Sequence, residues 1–162
     1  MKINERTLLF PSVVRGMVLE QHKVLRQMFQ RALDETTRSL RREGLALEEL
    51  AELATDLRQR FRAHLAFEER MLAPVLAHID LWGPERVSAL LEEHARQRAE
   101  VDTIVEGLQT DWDVERLALV MRSLVTDLLR DMDEEEAGCL SASFLGEDVV
   151  AVDRVAIDRA TD

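Results

Sequence analysis

Glycine and proline are scarce in this chain, at six and three of 162 residues, and Cys139 is its single cysteine. So few turn-forming residues favour long uninterrupted helices over a turn-rich β protein. One cysteine excludes an internal disulfide, and this fits a cytoplasmic location. No apolar run reaches the length of about 18 residues that a transmembrane helix needs. The first residues lack the apolar centre of a signal peptide, so we expect none.

Positive charge is also in short supply, because 21 lysines and arginines stand against 32 acidic residues, for a net charge of −11. A surface of this sign disfavours nucleic acid and anionic membranes as partners, since both bind through basic residues. The length is sufficient for one domain with a sizeable core. The acidic surface is most simply a solubility feature.

Apolar residues recur at gaps of three and four along four segments, which predicts four amphipathic helices. Short links between them predict an all-α, up-and-down antiparallel four-helix bundle over residues 14–139. We expect residues 1–13 to form a short N-terminal arm whose Leu8, Leu9 and Phe10 pack on the bundle, and residues 140–162 to form a C-terminal tail that is a short extended segment or an arm docked on the bundle. Gly44 is expected to end the first helix in a left-handed conformation. The predicted helices are Val14–Arg42, Leu47–Ala77, Pro84–Leu108 and Asp111–Gly138.

The second helix carries a polar pair inside its apolar stripe. His64 and Glu68 lie one turn apart in the same phase as Leu57, Phe61 and Val75. A stripe of this kind faces a core, where an imidazole and a carboxylate without partners would cost several kcal/mol. A bound metal ion is the compensation that this pattern indicates.

The other three helices place polar residues at the same kind of position. His22 lies on the stripe of the first helix and His94 on that of the third, while Asp131 and Glu135 continue the stripe of the fourth. Counting residues from the predicted loops brings the histidines of three helices to one level, with Asp131 about 9 Å further along its helix. The candidate ligands are His22, His64, Glu68, His94, Asp131 and Glu135.

Mixed imidazole and carboxylate ligands suit iron, and also manganese or zinc. Six protein ligands are too many for the usual tetrahedral zinc site and about right for two ions. Glu68 and Glu135 are placed to bridge the two ions, and open coordination positions are where dioxygen or a related small molecule would bind. A site for one ion stays open as an alternative. We expect Glu69, Glu134 and Glu136 to be solvated and Cys139 to be a structural thiol.

Four sequence blocks resemble the hemerythrin-like, or HHE, cation-binding family, over about residues 12–141. They are EQH ending at His22, HLAFEER starting at His64, EEH ending at His94, and DMDEEE starting at Asp131. The resemblance implies a four-helix bundle with a non-haem centre of two iron ions, carboxylate- and oxo-bridged. It places His22, His64, Glu68, His94 and Glu135 on ligand positions, with both glutamates as bridges.

The chain departs from the family pattern at Asp131, where the last helix of the family usually has histidine. An aspartate is shorter and anionic, so it favours the oxidised state of a bound iron and a character closer to oxygen-activating or ferroxidase centres. Ferritin-like proteins match less well, because their Glu-x-x-His pairs are absent from this sequence.

Three functions therefore remain open from the sequence. The first is binding or sensing of dioxygen, nitric oxide or redox state without turnover. The second is an enzyme that uses the same centre for oxidase, peroxidase or ferroxidase chemistry on dioxygen or peroxide. The third is a helical interaction module without metal. The sequence offers no substrate pocket beyond the metal site and names no protein partner, so binding or sensing is favoured.

Overall fold

The chain is an all-α four-helix bundle, as the sequence predicts. A computed structural model describes residues 6–108, 110, 112–145 and 150–153. The long helices are α1 (Pro11–Leu40), α2 (Leu47–Leu76), α3 (Gly83–Gly107) and α4 (Val114–Ala137), and a short helix α5 (Ala142–Leu145) follows. Two four-residue strands, β1 (Arg6–Leu9) and β2 (Val150–Asp153), pair antiparallel with Arg6 opposite Asp153 and Leu9 opposite Val150.

The helix boundaries follow local chemistry that periodicity alone does not reveal. Helix α1 begins at Pro11, before the predicted Val14, because the Phe10 carbonyl accepts from the amides of Val13 and Val14 and proline suits the first helical position. Helix α4 begins at Val114, because the Asp113 carboxylate accepts from the Arg116 amide at 2.8 Å. Asp111, the predicted start of that helix, lies outside the described residues.

The end of α1 differs from the prediction in which residue adopts the left-handed conformation. Arg42 has φ of 61°, and the amide of Glu43 returns to the carbonyl of Arg38 at 3.0 Å. Gly44 is required for another reason, since a Cβ there would collide with the backbone and hydroxyl of Ser39. Helix α2 continues through Pro74 and ends two residues later, at Leu76.

Backbone contacts divide the chain into two compact units, and each long helix contributes a stretch to both. The first unit comprises Met1–Gln21, Ala63–His94 and Glu134–Asp162. Its apolar core includes residues from the arm and the tail: Leu9, Val14, Val18, Leu72, Val75, Leu76, Leu140, Leu145 and Val150. Of the three arm residues expected to pack, Leu9 is buried, whereas Leu8 and Phe10 are exposed, since successive side chains point to opposite faces.

The second unit comprises His22–Arg62 and Ala95–Asp133. Its core includes an aromatic pair, Phe29 and Phe61, whose ring centroids lie 6.0 Å apart at an interplanar angle of 57°. The Asp102 carboxylate accepts from Arg58 and Arg62 of α2, at 2.6 and 2.5 Å, and so ties α3 to α2 within this unit. Among the described residues, no helix combines the length and the apolar character that a membrane-spanning segment needs.

Candidate metal centre

The buried polar pair on α2 has the geometry that its spacing predicts. His64 and Glu68 are 3% and 1% exposed, and the Nε2 atom of His64 lies 3.1 Å from Oε1 of Glu68. Four residues make about one helical turn, so the two side chains project from the same face of α2. A carboxylate buried to this degree needs a cation or several hydrogen-bond donors.

Helix α3 supplies a second imidazole to the same carboxylate. His94 is 2% exposed, and its Nε2 atom lies 3.2 Å from Oε2 of Glu68. Each carboxylate oxygen of Glu68 therefore faces the Nε2 atom of a different histidine. These two contacts bring His94 of α3 to the level of His64 and Glu68.

The opposite nitrogen of each ring contacts an acceptor. Nδ1 of His64 lies 3.0 Å from Oε1 of Gln21, and Nδ1 of His94 lies 3.0 Å from Oε1 of Glu69. Because these oxygens accept, each Nδ1 atom carries the proton. In the neutral ring, Nε2 then presents its lone pair towards Glu68. Because a lone pair and a carboxylate oxygen repel each other, this arrangement is favourable only with a proton or a metal ion between them.

Helix α1 contributes His22, which is 1% exposed. His22, His64 and Glu68 each offer one ligand atom, and these atoms all lie within 4.8 Å of one another. In the part of the chain that the structure describes, this is the only group of three or more potential ligands found at that spacing. The candidate group thus combines His22 of α1 with His64 and Glu68, which lie one turn apart on α2.

The charges around His94 show that this position attracts a cation. Burial by itself lowers the pKa of His94, but hydrogen bonds and charges from Glu68 and then Glu69 outweigh it, so the pKa is raised. A metal ion that binds Nε2 of His94 therefore competes with a proton, and metal affinity should weaken as the pH falls through that raised pKa.

Asp131 is engaged elsewhere. Its carboxylate accepts from Nη2 of Arg96 at 3.1 Å and from Nε2 of Gln97 at 3.2 Å, and its side chain is 16% exposed. A metal ion bound by Asp131 would have to replace these donors. The role of Asp131 as a ligand stays a prediction.

Glu135, the other predicted ligand on α4, is half-buried, and its Oε1 atom lies 3.8 Å from Sγ of Cys139. The negative charges of Glu135 and Glu68 both act on that thiol. Glu135 lies outside the tight group formed by His22, His64 and Glu68. Its bridging role therefore also stays a prediction.

Two residues that hold the histidines were not recognised from the sequence. Glu69 was expected to be solvated, and this was wrong, because its side chain is 19% exposed and contacts Nδ1 of His94. Gln21 directly precedes the candidate ligand His22, and its contact with His64 has no counterpart in the sequence pattern. An acceptor next to a candidate ligand is the one signal that could have indicated both residues.

Cys139 should be unreactive in the native protein. Burial, followed by the charges of Glu135 and Glu68, raises the pKa of its thiol to about 12. We expect iodoacetamide at pH 8 to alkylate it at least about 100-fold more slowly in native protein than in urea, because the thiolate is the reactive species. Mass spectrometry of timed samples would measure both rates. Equal rates would contradict this assignment.

The fold and these contacts define a class: a helical bundle with a buried histidine and carboxylate donor set for a cation. A family model described as the hemerythrin HHE cation binding domain matches residues 14–142. The chain belongs to that family, and the resemblance predicted over residues 12–141 is confirmed. Searches of curated proteins and of solved structures found no significant match to this chain.

Proposed function

We propose that this protein binds iron at the centre around Glu68 and uses it to bind or sense dioxygen, nitric oxide or redox state. The observation that carries the proposal is the Glu68 carboxylate held between the Nε2 atoms of His64 and His94, at 3.1 and 3.2 Å. Family membership supports cation binding. The choice of iron, and of dioxygen or nitric oxide as the small molecule that it binds, is our inference.

The donor set suits iron better than a hard cation such as magnesium. Imidazole nitrogens with a carboxylate oxygen are typical ligands of iron, and manganese and zinc bind similar sets. Oε1 of Glu68 faces His64, and Oε2 faces His94. This arrangement supports the proposal that Glu68 would bridge two ions, one bound by His64 and the other by His94. The full proposed ligand set is His22, His64, Glu68, His94, Asp131 and Glu135.

The residues of the chain prepare the site in two ways. Contacts at Nδ1 of His64 and His94 hold the lone pairs of the Nε2 atoms towards Glu68, so little reorganisation is needed when a cation binds. Burial of Glu68 and the two rings removes competing water. Bound iron would supply a change of oxidation state and an open coordination position for a small ligand.

We propose binding or sensing rather than turnover, because the polar side chains of the centre have roles that do not involve a further substrate. His64 and His94 face Glu68, whereas Gln21 and Glu69 contact the rings. Dioxygen, nitric oxide and peroxide are the small molecules that such a site would admit. The single cysteine supports a cytoplasmic location.

Metal content and a nitric oxide titration would test this function. Protein produced with ample iron is expected to carry about two iron ions per chain, and its reduced form is expected to bind nitric oxide stoichiometrically with a new visible absorption band. A single iron ion per chain would contradict the bridged pair and support the one-ion alternative. The proposal would be refuted if the protein carried no bound metal and a chelator left its melting temperature unchanged. Steady consumption of dioxygen or peroxide over many cycles would favour the enzyme instead.

A further inference from the structure

His64 and His94 have the same arrangement around their rings. In each, Nε2 faces one oxygen of Glu68, at 3.1 Å for His64 and 3.2 Å for His94. In each, Nδ1 lies 3.0 Å from a side-chain oxygen. Both rings are 3% exposed or less. Distance and burial therefore do not distinguish the two histidines as metal ligands.

The two acceptors differ in charge. Gln21 presents a neutral amide oxygen to His64, whereas Glu69 presents a carboxylate oxygen to His94. A carboxylate draws the Nδ1 proton more strongly than an amide does, and this moves electron density to Nε2. Because the side chain of Glu69 is only 19% exposed, water screens this effect incompletely.

From this contrast we propose that Gln21 and Glu69 are positioning residues that make the two imidazoles unequal metal ligands. His94, backed by Glu69, is the stronger donor and favours ferric iron, whereas His64, backed by Gln21, is the weaker donor and favours ferrous iron. The proposal rests on the proposed function. It adds a built-in asymmetry, which would let one ion change oxidation state before the other.

Exchanging the two acceptors tests this asymmetry. Glu69→Gln keeps an oxygen acceptor of the same shape but removes its charge, and Gln21→Glu gives that charge to His64. Glu92→Gln is the matched control, because Glu92 is exposed and lies two residues before His94. Two readouts apply: Co²⁺ affinity by isothermal titration calorimetry, and the reduction potential of the iron-loaded protein by spectroelectrochemistry.

Glu69→Gln is expected to weaken Co²⁺ binding by about 10- to 100-fold, the usual effect of losing a hydrogen-bond partner of a ligating histidine. In this variant the preference of the site for ferric over ferrous iron should fall about tenfold, which raises the reduction potential by about 59 mV. Gln21→Glu should lower the potential, and the control should change neither quantity. Gln21→Glu also keeps the test valid if Glu69→Gln does not fold.

The outcomes separate the two proposals. If the unaltered protein binds metal and both exchanges leave affinity and potential unchanged, the asymmetry is refuted and the proposed function stands. A role limited to holding the rings would give that result, because glutamine and glutamate both accept from Nδ1. If the unaltered protein binds neither Co²⁺ nor iron, the proposed function fails, and the asymmetry fails with it.

Discussion

Glu68→Gln is expected to abolish stoichiometric metal binding while the helical fold is retained. Glu68 is the one carboxylate in the tight group with His22 and His64, and each of its oxygens faces an imidazole Nε2 atom. Glutamine has the same shape but no charge, and its NH₂ group cannot bind a cation. Of all single substitutions in this chain, we expect this one to have the largest effect on metal content.

Stability measurements would show the loss of metal binding in the Glu68→Gln variant independently of elemental analysis. A ligand at 100 times its dissociation constant stabilises the native state by about 2.7 kcal/mol, so added metal should raise the melting temperature of the unaltered protein. The Glu68→Gln variant should gain nothing from added metal. Removing one partner of a buried pair costs about 3–5 kcal/mol when the other stays charged, but both imidazoles can lose their protons, so the metal-free variant should keep its helical fold.

Glu52→Gln is the control for this experiment, because Glu52 is an exposed residue of the same helix. It should keep the metal content and the metal-dependent stabilisation of the unaltered protein. Metal content that is equal in the Glu68→Gln variant and in the control would remove Glu68 from the ligand set, and with it the central carboxylate of the proposed site.

Phe29→Ala is expected to have the largest effect on stability. Phe29 is fully buried, and its ring lies 6.0 Å from that of Phe61, which is 2% exposed. Truncation of a buried phenylalanine costs about 3–5 kcal/mol through lost burial and the cavity that remains. This is a large share of the about 5–15 kcal/mol by which a domain is stable. Each kcal/mol lowers the melting temperature of a chain of this length by about 2–4 °C, so we expect a fall of roughly 6–20 °C.

Urea denaturation followed by circular dichroism would measure this change. Leu119→Ala is the control, since Leu119 is 52% exposed and its truncation should cost less than about 0.5 kcal/mol. The double substitution of Phe29 and Phe61 should cost less than the sum of the single ones, because the two rings contact each other. A loss below about 1 kcal/mol for Phe29→Ala would contradict its place in the core.

Much of the fold could be predicted because apolar periodicity reports directly on which face of a helix is buried. The stripe through Phe61, His64 and Glu68 was predicted to face the core, and these three residues are buried. Helix ends were less predictable, since they depend on hydrogen bonds such as that from the Arg116 amide to Asp113. The pairing of β1 with β2 joins segments from opposite ends of the sequence, so no local pattern could reveal it.

The candidate site could also be predicted only in part from the sequence. Histidines and a carboxylate in core positions of separate helices indicated a cation site, because buried polar groups require partners. The contacts of Asp131 with Arg96 and Gln97 were not predictable, since they depend on how α3 and α4 are rotated about their axes. Spacing along one helix carries no information about that rotation.

The sequence by itself determined the four helices, their buried faces and the presence of histidines and a carboxylate at core positions, because each follows from helical periodicity and the cost of burying polar groups. Only the tertiary structure decided that Gln21 contacts His64 and Glu69 contacts His94. The physical reason is that Nδ1 and Nε2 lie on different sides of an imidazole ring. Which acceptor reaches which nitrogen therefore depends on side-chain orientation and helix packing in three dimensions.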